Sequence, residues 1–145
     1  MTQSGATLAT AVAVAAGASP ANAGDAWGTR AAAVCRDAFR PMVPLIDRGP
    51  GSTRASAAKW AARVEPLEAM ELSKLRAITA RPSAADSRAL AALARDLSEA
   101  RMALANRSHP SVFDRWFAIW IKDGRTSSAF KRAGILACAG PGPSA

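Results

Sequence analysis

Residues 83–104 read SAADSRALAALARDLSEARMAL. Leu90, Leu93, Ala94, Leu97, Arg101 and Leu104 recur at helical spacing, so one apolar stripe runs along this segment. Ser83 and Asp86 stand where a capping box would stand, with Asp in place of the usual Glu, and they set the helix start. Arg101 falls on the apolar face, which suggests a stem lying along the core edge.

On either side of this segment the same grammar repeats. Thr29 reads as the cap of a helix from Arg30 to about Phe39, ended by Pro41 and Pro44, because proline lacks a donor and disfavours helix in the residue before it. Residues 47–53, DRGPGST, form a loop. Thr53 or Ser52 caps a second helix with Trp60, Val64, Leu67, Leu75 and Ile78 on its apolar side, which Pro66 kinks or splits. Val112 to Ile121, VFDRWFAIWI, fits a broad helical face that Gly124 stops; high β-propensity and the Asp123-Gly124 pair leave a strand or a membrane-interface helix as alternatives. Thr126 or Ser127 caps a last helix that ends near Cys138. The expected fold is therefore all-α, a small bundle of four to five helices, with Trp27, Phe39, Trp60, Phe113, Trp116, Phe117, Trp120 and Phe130 as its large anchors.

The first 23 residues read as a cleavable secretory signal. No side chain before Asp25 is ionisable, and Leu8 to Ala18 make an apolar run of the length that export requires and shorter than a membrane span. Ala21 and Ala23 form an A-x-A cleavage site, although the stretch before the run has no Lys or Arg. The expected organisation is a signal over 1–23, a helical domain over 24–138 and a disordered tail over 139–145. Cys35 and Cys138 are the only thiols, and in an exported chain an even count favours a disulfide. Their spacing excludes C-x-x-C redox chemistry and zinc-ribbon ligation.

No chemistry-bearing constellation emerges, so a non-enzymatic protein without metal or cofactor is expected. His109 is the only histidine and lies in a polar loop. Glu65, Glu68 and Glu71 recur every third residue and Lys74 continues the row, which reads as a solvated helix face with a Glu71–Lys74 pair. The composition resembles the alanine- and arginine-rich exported proteins of GC-rich bacteria, a likeness of style that carries over no functional residue.

The net charge is +8, and 15 of the 19 cations are arginine. Residues 30–63 carry net +5 and residues 115–132 net +4, whereas 65–107 carry only +1. A Cys35–Cys138 bridge would draw the two basic ends together, which makes Arg36, Arg40, Lys122, Arg125, Lys131 and Arg132 candidate anion-binding residues. The implied partners of an exported basic domain are anionic envelope polymers or lipid headgroups. A cytoplasmic domain binding nucleic acid is the weaker alternative.

Overall fold

The structure is a computed structural model and describes residues 26–140. The expected signal over 1–23 and the tail residues 141–145 lie outside the described residues. Five α-helices follow in order among the described residues: α1 (Ala26–Arg48), α2 (Arg54–Arg76), α3 (Ala84–Ala105), α4 (Pro110–Lys122) and α5 (Arg125–Arg132). A 3-10 turn over Leu136–Cys138 follows α5, and no strand occurs among the described residues.

The helix starts follow from their caps. At α2 the Ser56 amide donates to Thr53 Oγ1 (3.0 Å) and the Thr53 amide donates back to Ser56 Oγ (3.2 Å). At α3 the Asp86 amide donates to Ser83 Oγ (3.1 Å), and the Ser83 amide donates to Asp86 Oδ2 (2.9 Å). Each box satisfies two donors that a helix N-terminus would otherwise leave open. α4 starts with Pro110 in its first turn, where the missing N–H costs nothing.

Two boundaries differ from the sequence reading, and at Pro66 the structure decides between its two alternatives. α1 runs unbroken through Pro41 and Pro44, and Thr29 lies inside it. Both prolines are exposed, while Met42 and Leu45 are buried. Burying two such side chains is worth about 1.5–3 kcal/mol each, which opposes the cost of the ladder bonds lost at the two outer-face prolines. Pro66 is likewise exposed and leaves α2 in one piece, with Val64 and Leu72 buried on either side. At the head of α5 neither Thr126 nor Ser127 is the cap. Gly124 holds that position, and Asp123 Oδ1 accepts from the Arg125 amide (2.9 Å).

α3 is the hub, packing against α2, α4 and α5, while α1 packs on α2 and on the 3-10 turn. The Cys35–Cys138 disulfide closes this circuit, with Cα atoms 5.1 Å apart. Around it lies the largest apolar cluster, which includes Trp27, Leu75, Leu93 and Phe130. A second cluster joins Leu45, Ala61, Val64 and Trp120, and a third forms about Phe113. The rings of Trp60, Phe117 and Trp120 meet between α2 and α4 at centroid distances of 5.5–6.1 Å. Four of the eight expected anchors are buried (Trp27, Phe113, Trp120, Phe130), and the other four are half-buried. Ile121 is an exception to the expected apolar face of α4, being exposed. Ala139, assigned by sequence to the tail, is buried against the first cluster. Among the described residues no helix is long and apolar enough to cross a membrane.

Candidate anion-binding site

The turn between α1 and α2 builds the site. Gly49 and Gly51 take left-handed φ values of 71° and 79°, a region that glycine enters without a Cβ penalty. The Gly49 amide closes α1 on the Leu45 carbonyl (2.9 Å). Ser56 Oγ donates to the Pro50 carbonyl (2.8 Å), and a Cβ added at Gly51 would collide with that same hydroxyl. The turn therefore folds tightly onto the first turn of α2.

The result is a groove of about 320 Å³ between the end of α1 and the start of α2. Leu45 and Trp60 form its apolar floor, and Arg48, Lys59 and Arg63 line its sides. Lys59 and Arg63 stand one helical turn apart on α2. No carboxylate lines the groove, and none of the ion pairs among the described residues involves these three cations. The Trp60 indole N–H donates to the Leu45 carbonyl (2.7 Å), so the ring is fixed and its one donor is used.

The six residues expected to bind anions do not line a common groove. Arg36 sits in a cleft of about 370 Å³ against residues 133–137, beside the disulfide. Arg132 faces Arg88 in another, and Lys131 is exposed on α5. Lys122 and Arg125 line a third groove, between α3, α4 and the start of α5. There Arg125 is committed to Glu99 and Asp123. Arg40 pairs with Asp37 at 3.2 Å. Arg48, Lys59 and Arg63, which the sequence reading does not single out, belong to the basic 30–63 stretch and come to line one groove where the turn closes. The Lys59–Arg63 spacing around Trp60 was the one signal for them.

The glutamate row also departs from expectation. It is an acidic seam facing α3, half-buried at Glu65 and Glu68 and buried at Glu71, and no Glu71–Lys74 ion pair forms among the described residues. Arg101 Nε donates to Glu65 Oε1 (2.8 Å), which spans α2 and α3. Behind that pair, burial pushes the Glu68 carboxyl up to about 9, helped by the charges of Asp96, Glu71 and Glu65 and opposed by a hydrogen bond from Trp120. Burial, then Asp96, raises Glu71 to about 7. Burial, then Glu99, raises Asp96 to about 7 against Trp120 and Arg125. Glu68 Oε2 has no hydrogen-bond partner. Glu71 Oε1 lies 3.7 Å from Cys35 Sγ, a contact without a proton to share, because that sulfur is in the disulfide. The seam can store protons near neutral pH. No group of three or more His, Cys, Asp or Glu among the described residues can hold a metal ion, and none of these grooves is lined by Glu68, Glu71 or Asp96.

No family model matches the chain, and the searches of curated proteins and of solved structures found no match.

Proposed function

We propose that this is an exported, non-enzymatic helical protein that engages anionic polymers or lipid headgroups of the cell envelope, and that the α1–α2 groove is its contact. One observation carries the reading: three cations that have no carboxylate partner among the described residues surround an apolar floor in a chain of net charge +8. Among the described residues Arg40, Arg54, Arg95, Arg101 and Arg125 are held by acidic neighbours, and what sets Arg48, Lys59 and Arg63 apart is that they share one groove with an apolar lining. Arg48, Lys59 and Arg63 keep their charge available to a partner from outside the chain. Export rests on the charge-free leader with its Ala21-x-Ala23 site, and an oxidising compartment suits the Cys35–Cys138 pair. A mature chain beginning at Gly24 tests that location.

The binding is tested with vesicles containing phosphatidylglycerol at about 0.15 M salt, where exposed charges are already strongly screened. The double variant Lys59→Glu with Arg63→Glu is compared with Lys131→Glu with Arg132→Glu, which changes the net charge equally. Each cation near an anionic surface contributes about 1 kcal/mol, so loss of the groove pair is expected to weaken binding at least about 30-fold. The α5 pair is expected to weaken it several-fold less. Equal losses from both pairs would mean that only overall charge matters and would sink the groove.

A further inference from the structure

We infer that the occupant of the α1–α2 groove is a single anionic phospholipid, with its phosphate among Arg48, Lys59 and Arg63 and the start of its acyl chain on Trp60 and Leu45. This rests on the cationic-groove reading and goes beyond it by separating a lipid from a polyanion.

The run of available cations is short. On α2 the preceding arginine, Arg54, is held by Asp114 through a two-point pair, Nε to Oδ1 at 2.9 Å and Nη2 to Oδ2 at 2.6 Å. On α1 Arg48 is preceded by Asp47, and Arg40 is paired with Asp37. A linear polyanion gains affinity from each further phosphate or sulfate that it places on a cation, so a groove whose own lining offers three cations favours a ligand with one charged group. Arginine meets a phosphate with paired donors and lysine meets it as a point charge, which suits a site for one headgroup.

The floor is apolar in substance as well as in name. The Trp60 N–H is already donated to Leu45, leaving a ring without a free donor, and Leu45 is 6% exposed. The Leu45 carbonyl accepts two donors, from Gly49 and Trp60, and the Pro50 carbonyl accepts Ser56 Oγ. These acceptors are therefore turned inward and engaged, and do not repel an incoming phosphate. The volume of about 320 Å³ falls at the lower end of small-molecule sites, enough for a headgroup and the first part of a chain.

The test uses soluble probes below their micelle concentration: dihexanoyl phosphatidylglycerol, dihexanoyl phosphatidylcholine, glycerol 3-phosphate and dextran sulfate, each titrated by calorimetry. The short-chain phosphatidylglycerol is expected to bind at least roughly ten-fold tighter than glycerol 3-phosphate, since only a few methylenes need be buried for that gain. It is also expected to bind more tightly than phosphatidylcholine, and Lys59→Glu with Arg63→Glu is expected to remove the difference. If glycerol 3-phosphate binds as tightly as the lipid, or dextran sulfate more tightly through the same residues, the lipid inference is overturned and the cationic groove survives. Equal binding of the zwitterionic lipid also overturns it. If no probe shows binding sensitive to Lys59 and Arg63, the groove reading falls with it.

Discussion

Raising the pH from about 5 to about 9 is expected to lower the thermal midpoint of this protein by roughly 10 °C or more, the reverse of the acid sensitivity that paired carboxylates usually confer. The cause is the seam between α2 and α3. Glu68 titrates near 9 in the fold, and Glu71 and Asp96 near 7, against ordinary values of 4.5, 4.5 and 3.8. A carboxyl whose folded value is raised binds its proton more tightly in the native state than in the unfolded one. Its contribution is complete below the ordinary value and declines as pH rises through the folded one, so the loss spans roughly pH 4.5 to 9. The charged groups acting on Glu68 are Asp96 on α3 and Glu71 and Glu65 on its own helix; Glu99 and Arg125 act in turn on Asp96, and Arg101 pairs with Glu65. A tenfold difference in proton affinity between the folded and unfolded chain is worth about 1.4 kcal/mol. The three carboxyls together therefore represent several kcal/mol, even after their mutual repulsion and partial access to solvent are allowed for. The exposed Arg54–Asp114 pair works in the opposite sense, because Asp114 is held below its ordinary value of 3.8, and it weakens the fold only in stronger acid. Thermal unfolding followed by circular dichroism across this range checks the slope. Glu68→Gln is expected to flatten the alkaline side and raise the midpoint at pH about 9. A midpoint that rises with pH would show that the seam is solvated.

Loss of the Cys35–Cys138 bridge is expected to cost about 4 to 5 kcal/mol, because it releases a loop of about a hundred residues in the unfolded chain. That is a large part of the 5–15 kcal/mol typical of a domain, so a fall of roughly 10–20 °C in the thermal midpoint is expected on reduction or in Cys35→Ala with Cys138→Ala. The penalty is sharpened by position. The bridge joins α1 to the 3-10 turn at the centre of the largest cluster, and the alanine-rich helices around it bury little area per residue. Alanine is the right replacement, because a hydroxyl at position 35 would add a donor beside Glu71. The intact mass of exported protein under non-reducing conditions checks the premise in one measurement. The expected value is that of residues 24–145 less two hydrogens. Two free thiols in the native protein would remove the bridge, and an unprocessed N-terminus would remove the export route.

Much of the fold was legible because it is written in local rules. Ser83 and Asp86 announce α3, the stripe from Leu90 to Leu104 orients it, and two cysteines can pair in only one way. Phe113 and Trp120 could be placed inside because an alanine-rich bundle has few other large side chains to fill its core. The misses are tertiary. Pro41 and Pro44 read as breaks, and Pro66 as a kink or a split, because spacing alone does not show Met42, Leu45 and Val64 buried beside them. Glu68 and Glu71 read as a solvated row because spacing does not reveal that α3 covers them. Arg125 looked available until Glu99, 26 residues earlier, was found against it. That Arg48, Lys59 and Arg63 share a groove is not written in any motif, because two left-handed glycines bring them together.

Whether the α1–α2 groove is the binding site is decided by a nuclear magnetic resonance titration of the 15N-labelled protein with dihexanoyl phosphatidylglycerol. The expected result is a saturable shift confined to the amides of Gly49, Gly51, Lys59 and Arg63 and their neighbours, together with the Trp60 indole resonance. Shifts centred instead on α5 or on the cleft at Arg36, or spread over every basic surface, would contradict it.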